Sequence, residues 1–472
     1  MFRQETFQAS LFNVPLARTL DLDPGYRPLS LGVRNFRRAL AAWGNHERVV
    51  LGLEQNTGSA ARLELEVFPQ GAGRDEDNLR YVSWLLNGLL WACGGWRVSV
   101  GGPEALCEAI AAEYGPTGPW AFEREIMGQA FHRPFEVVVM DPAAIPPAGK
   151  CALALGGHLE GCRIGFDLGA SDYKVAAVKD GEVLFSAEIP WNPKAEADPA
   201  YHYACINEGF KLAAAHLPRL DAIGGSSAGI LVDNQVMVAS LFRSVPRDLF
   251  DEQVRPLFLK LREAWQVPLE VINDGDVTAL AGGMSLEKTG ILGIAMGSSE
   301  AVGFLDRSGR ITGWLNELAF STIDANPEAG TDDWSGNPGV GAAYFSQQAV
   351  DRLAGPAGLS FPASMGLPER LKDVQQRLAV NDPGARRIFE TIGTYLGYTL
   401  PWYLEFYDMQ HAMILGRVTS GKGGEIILGR AKEILAVEFP EVARAISLFL
   451  PDETSRRVGQ AVAAASLPSL LS

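Results

Sequence analysis

Twice along this chain, near residue 163 and again near residue 290, two strand-like runs meet at a short glycine-containing turn, and helices and further strands follow. In the first copy, residues 164–168 read as a strand, 169–172 as a tight turn and 173–179 as the partner strand. Asp180-Gly181 then reads as a hairpin turn into 182–189. A helix over 200–216 leads to a buried-type strand at 222–225. Apolar residues at helical spacing over 251–265 lead to a strand at 267–273 and a helix from 277. In the second copy, 290–296 and 301–306 form the hairpin, and a mainly helical last third holds one strand at 412–415. Such a pattern leaves few architectures open. It predicts two α/β lobes facing one another across a cleft at their strand ends, where glycine turns favour a phosphate or nucleotide ligand.

Residues 1–150 have a different texture. An irregular arm with Pro15, Pro24 and Pro28 precedes strand candidates at 48–53 and 62–68, a helix over 77–93, a strand at 96–100, a helix at 104–114 and a strand at 135–140. The proline-bearing stretch 141–149 reads as a linker. The expected organisation is an N-terminal α+β domain (1–150), a first lobe (163–290) and a second lobe (291–472). The N-terminal tryptophans Trp91, Trp96 and Trp120 are expected in its core, and the aromatic-rich helix over 388–409 is expected to be an interface helix.

Charge narrows the function classes. Lys and Arg total 41 against 56 Asp and Glu, a formal net charge of −15. That balance argues against a general nucleic-acid binder and against a polybasic membrane-surface protein. The five cysteines (Cys93, Cys107, Cys151, Cys162 and Cys205) are scattered, without any CxxC, and read as reduced thiols packed as small hydrophobes. The N-terminus lacks a basic segment followed by an apolar one, and the most apolar window, 81–96, is interrupted by Asn87 and shorter than the ~20 residues of a membrane span. A cytoplasmic location without membrane partners is the expectation.

Four strings carry candidate chemistry. In Asp167-Leu168-Gly169-Ala170-Ser171, Gly169 lets backbone approach a phosphate, Ser171 donates to it, and Asp167 can hold a magnesium-bound water; an ordinary hairpin turn uses the same residues. Asn273-Asp274-Gly275-Asp276 follows a strand, where a carboxylate suits a general base and an Asn or Asp equally suits a helix cap. Gly297-Ser298-Ser299 offers a second phosphate turn. The stretch from Gly416 through Gly421 to Gly424 almost spells a P-loop, but Gly423 stands where the magnesium-binding hydroxyl should be. His202 and His216 have no partner spacing for metal or triad work.

In this order and at these separations, the strings resemble the ROK family of sugar kinases and repressors, over about residues 163–472. The resemblance implies two ribonuclease-H-like lobes of the actin/hexokinase type. It makes Asp167, Gly169 and Ser171 the first phosphate motif, Gly297 and Ser298 the second, and Gly416 and Gly421 the adenosine-side loop. Gly224-Gly225-Ser226-Ser227-Ala228-Gly229 is similar to the family's glycine-proline-glycine loop, with alanine in place of proline. It also implies Asp274 as catalytic base, Asn273, Glu317 and Gly229 at the substrate, ATP with Mg²⁺ as cofactors, a sugar or cyclitol as acceptor, and a homodimer, as family members often are. Three departures stand out. The family's Gly-Glu-x-Gly-His string is Asn316-Glu317-Leu318-Ala319-Phe320 here, so the histidine is Phe320. The cysteine cluster that would complete a structural zinc site is Asp332-Asp333-Trp334-Ser335-Gly336-Asn337-Pro338-Gly339, so no zinc site is expected. Glu300 adjoins the second phosphate turn, where a carboxylate would repel a triphosphate unless it points into solvent. That last departure leaves open a non-catalytic sugar-binding regulator.

Overall fold

The computed structural model describes residues 11–149, 155–169, 172–451 and 453–470; Cys151 and Ser171 lie outside the described residues, as do residues 1–10. Strands β1 (Glu47–Gln55), β2 (Gly58–Val67), β3 (Arg97–Gly101) and β4 (Glu136–Val139) form a sheet of order β2-β1-β3-β4. Helix Asp75–Cys93 lies between its second and third strands in sequence. Three acids in its first turn, Asp75, Glu76 and Asp77, complement the helix dipole, and Gly94, at φ 76°, ends it.

The body contains two sheets with related connectivity. In the first, β5 (Cys162–Leu168), β6 (Asp172–Lys179) and β7 (Glu182–Pro190) run antiparallel; β8 (Ala222–Ser227) and β11 (Leu269–Asn273) join parallel to β5, giving the order β11-β8-β5-β6-β7. Asp180 and Gly181 both take positive φ, 50° and 83°, as the predicted two-residue hairpin turn requires. A small hairpin of β9 (Ile230–Val232) and β10 (Gln235–Val238) follows β8. In the second sheet, β12 (Ile291–Met296) pairs antiparallel with β13 (Glu300–Leu305), and β14 (His411–Leu415) and β15 (Ser447–Phe449) add in parallel. Its order, β13-β12-β14-β15, repeats the first sheet without the third antiparallel strand. A single bridge between Leu305 and Ile311 stands in that position. The short strand β15 is additional to the sequence expectation. The helix expected over 251–265 is broken at Pro256, which has no N–H to donate, into a π-helical turn at Phe250–Val254 and a helix at Leu257–Trp265.

The two sheets exchange helices. Helix Asp274–Leu286 leaves β11 and packs against β12 and β13, while the last helix, Glu453–Ala465, returns to cover β5 and β8. This return is possible because Gly165 and Gly224 have no side chain: a Cβ would stand 2.1 Å from the Ala461 carbonyl oxygen and 1.9 Å from that of Ala464, respectively.

The N-terminal block does not keep a core to itself. Phe36, Leu53, Leu86 and Trp91 belong to one buried cluster with Ile294, Phe304, Tyr395 and Ile427 of the second sheet and its helices, whereas the first sheet has a separate cluster around Phe166, Phe210 and Phe258. Apolar faces on the Asp75–Cys93 helix are covered from both sides, so the boundary near 150 marks a change of sheet rather than of core. The arm before it is stitched in as well. Arg27 donates its backbone N–H to Asp324 at 2.8 Å, and Asp23 pairs with Arg352 at 2.7 Å. Helix Pro383–Tyr403, expected at an interface, is instead packed inside the chain, with Tyr395, Tyr398 and Tyr403 fully buried. Trp91 is fully buried as expected, and Trp96 and Trp120 pack partly buried on the same cluster. His202 is also structural, its ring nitrogens near the Pro193 and Asp198 carbonyl oxygens.

Candidate active site

Parallel pairing aligns three strand ends. The register sets Asp167 of β5 beside Ser226 of β8 and Ser226 beside Ile272 of β11; Leu168, Ser227 and Asn273 form the next row. The Ser226 hydroxyl donates to Asp167 Oδ1 at 2.7 Å. Across the antiparallel pair, Lys174 places its Nζ 3.8 Å from Asp167 Oδ2. Gly169 donates its N–H to the Asp172 carbonyl at 3.1 Å, closing the turn that was read as a phosphate loop.

Asn273 caps the helix that follows. Its Oδ1 accepts the Gly275 N–H at 2.7 Å, and its Nδ2 donates to the Gly229 carbonyl at 2.9 Å, tying the two strand-end loops together. The helix-cap reading therefore holds for Asn273, and Asp274 is left as the first helical residue. The Asp274 carboxyl is half-buried; burial, with the charge of Asp167, raises it to about 6. Glu317 is half-buried too, raised to about 8 by burial and then by the charge of Asp274.

Glu317 owes its place to the N-terminal block. The N–H groups of Leu315, Asn316 and Glu317 donate to the carbonyls of Cys93, Ala92 and Trp91 at 3.3, 3.0 and 2.9 Å. These are carbonyls that the end of helix Asp75–Cys93 cannot satisfy internally. Asn316, at φ 54°, turns the loop and donates to Asp276 Oδ1 at 2.8 Å.

Asp276 had no role assigned from sequence. Inside the first helical turn it resembles any dipole-favoured acid, yet the helix presses it under β13, where its Oδ1 also accepts the Phe304 N–H at 3.2 Å. It is 5% exposed, and burial raises its carboxyl to about 8. Only the local string Asn273-Asp274-Gly275-Asp276 could have signalled it.

Glu300 corrects an expectation. It does not point into solvent: it is 4% exposed, accepts the Tyr403 hydroxyl at 3.2 Å, and is raised to about 8 chiefly by burial. The turn before it is closed by the Gly297 N–H donating to the Ser299 carbonyl at 2.9 Å, and Ser298 is exposed. Gly416, at φ 99°, sits against Met296, whose carbonyl oxygen would be 2.5 Å from an added Cβ. Backbone packing thus accounts for that glycine without a nucleotide. Gly421, at φ 63°, begins helix Lys422–Glu438, with open space where a Cβ would be. Both lie beyond the end of β14, on the second sheet.

Where the family's histidine and cysteines would be, aromatic rings meet. Phe320 packs against Trp91, Trp334 and Phe122 at centroid distances of 4.9, 5.1 and 5.6 Å. Among the described residues, no group of three or more His, Cys, Asp or Glu is placed to hold a metal ion. Beside this cluster the junction opens. A cavity of about 310 Å³ is lined by Asn273, Gly229, Asp276 and Thr312 of the body and by the β1–β2 turn of the N-terminal block; Asp274 and Glu317 are not among its lining residues.

Sheet order and helix exchange define an α/β fold of the actin/hexokinase kind, carrying an added sheet. No protein-family model and no curated protein matches the chain. Among solved structures, it is similar to a ROK hexokinase from Thermus thermophilus, with a TM-score of 0.51 and 18% identity over 64% of this chain and 97% of that one. It is similar also to a ROK-family transcriptional regulator described as a homologue of the E. coli MLC protein, with a TM-score of 0.53 and 20% identity over 66% and 79% of the two chains. The fold is thus the one shared by these ROK proteins. It occurs with both a kinase and a regulator, so the fold leaves the choice to the site. No helix among the described residues is long and apolar enough to cross a membrane.

Proposed function

We propose that this protein transfers a phosphoryl group from ATP to a hydroxyl of a sugar or cyclitol, with Asp274 as general base. The observation that carries the reading is Asp274 itself. It stands at the end of β11 with its carboxyl raised to about 6, near the pH at which a base both exists ionised and takes a proton readily. Asp167, held by Ser226 with Lys174 alongside, fits a magnesium ion that keeps most of its waters and needs only one anchored carboxylate. Bound Mg²⁺·ATP would supply the electrophilic γ-phosphorus and the leaving ADP. Gly169, Ser171, Gly297 and Ser298 would receive phosphates, and Gly416 and Gly421 would border the adenosine. Asp274 would take the hydroxyl proton as that oxygen attacks, while Asn273, Glu317 and Gly229 hold the acceptor in line. Catalysis of this kind is chiefly positioning and charge stabilisation.

A second reading, sugar binding without transfer, is favoured by Glu300 directly after the second phosphate turn. Its burial weakens that objection: a carboxyl raised to about 8 is mainly neutral at pH 7 and does not repel phosphate. The test is phosphoryl transfer by the wild type and by Asp274→Asn over a panel of sugars and cyclitols. Turnover is expected to fall by about 10²–10⁴ with sugar binding retained. Equal rates would refute the base, and no transfer by either protein would establish the regulator reading.

A further inference from the structure

The cavity beside the candidate base takes one wall from a part of the chain outside the ROK-like region. Asn56 and its neighbours in the β1–β2 turn face the Gly229 loop, Asn273 and Asp276 across about 310 Å³ of space. That volume is at the small end of ligand clefts, which run from about 300 to 1,000 Å³. Gln55 fixes the wall. It is buried, and its Nε2 donates to the Cys93 carbonyl at 2.7 Å and to the Gly313 carbonyl at 3.0 Å, joining the turn to the loop that forms the far side.

Two features give the lining a chemical preference. Thr312 is only 9% exposed, lines the cavity and has no hydrogen-bond partner for its hydroxyl. A buried hydroxyl left unpaired is costly, and a ligand with polar groups of its own would satisfy it. Among the described lining residues there is neither Lys nor Arg, while Asn56, Asn273 and Asp276 bring amide and carboxyl groups and Trp314 brings a ring. Such a lining disfavours an anion and suits a molecule rich in hydroxyls with an apolar face. The Asp276 carboxyl, raised to about 8, is mainly protonated at neutral pH and so can donate as well as accept.

We propose that this cavity is the binding site of a neutral saccharide or polyol, and that Asn56 and Thr312 determine which one is accepted. The N-terminal block would then be part of the specificity site rather than an appendage. This rests on the carbohydrate class of the proposed function but not on phosphoryl transfer. The test is calorimetric titration of the full chain, without nucleotide, using D-glucose, N-acetyl-D-glucosamine, maltose, myo-inositol and, as a cationic control, D-glucosamine. At least one neutral probe is expected to bind. Thr312→Val and Asn56→Ala are each expected to weaken it about 2- to 10-fold, the loss of one hydrogen bond. Thr312→Val should leave the melting temperature unchanged or raise it, because it removes an unpaired hydroxyl; a purely structural threonine would show no binding change. Binding by no neutral probe, by D-glucosamine alone, or with equal affinity in both variants would overturn the proposal. Weakened binding in the variants, with no transfer from ATP by the wild type, would keep this site and remove the kinase reading.

Discussion

The N-terminal block meets the second sheet and its loops in two adjoining regions that could hardly differ more. In one, Trp91, Phe122 and Phe320 close on each other, with Trp334 laid over them from the solvent side. In the other, a few residues along the same loop, Thr312 and Trp314 border an open polar cavity. Aromatic surface buried against aromatic surface is self-sufficient and needs no further ligand. An unpaired hydroxyl and a buried carboxyl are not, so the second region has chemistry left to satisfy. The difference teaches that one block both seals a place where the resemblance would put metal ligands and shapes a place for a ligand.

The sharpest way to break the comparison is to remove the block. Deleting residues 1–154 would strip the shared core of Phe36, Leu86 and Trp91, and the remaining chain is expected to be insoluble or unfolded. A soluble, cooperatively melting fragment would show that the two parts fold separately. Next in size is the aromatic region alone. Phe320→Ala should cost about 3–5 kcal/mol by chemical denaturation, the range for a buried aromatic truncated to alanine; a loss below 1 kcal/mol would mean the rings are not packed as described.

Acid chemistry separates the regions more finely. Glu123 is fully buried beneath the aromatic cluster; its Oε1 accepts from Asn87, Trp91 and Asn337, and its Oε2 has no partner. Burial raises it from 4.5 to about 7, so the folded chain holds this proton more tightly than the unfolded one. Its stabilising contribution is complete below pH 4.5 and is lost as pH rises through about 7. The melting temperature is expected to fall between pH 5 and about 8, and Glu123→Gln, which cannot ionise, should flatten part of that fall. An unchanged pH profile in the variant would contradict the assignment. The smallest effect is expected from chelators: the purified protein should contain no stoichiometric zinc, and EDTA should leave its melting temperature where it was. One zinc per chain by elemental analysis would overturn this.

Much of the first sheet could be read locally. The Asp180-Gly181 turn, the strand ends at Asp167 and Asn273, and the cap of the helix after β11 all follow from short-range preferences that act over a few residues. Glu300 and Asp276 could not be read in that way. Each looks like a surface acid in its own segment, and each is buried only because a distant element, helix Pro383–Tyr403 for one and β13 for the other, packs over it.

The sequence by itself determined the doubled strand-and-turn pattern, the order of the glycine turns and the Asn273-Asp274 pair, because periodicity and capping are encoded by near neighbours. Tertiary structure alone decided that residues 1–150 share the core of the second sheet, that Glu317 hangs from the end of helix Asp75–Cys93, and that Thr312 is shut away without a partner. These are contacts between residues far apart in the chain. No local pattern records them, since each forms only when separate apolar faces are buried against one another.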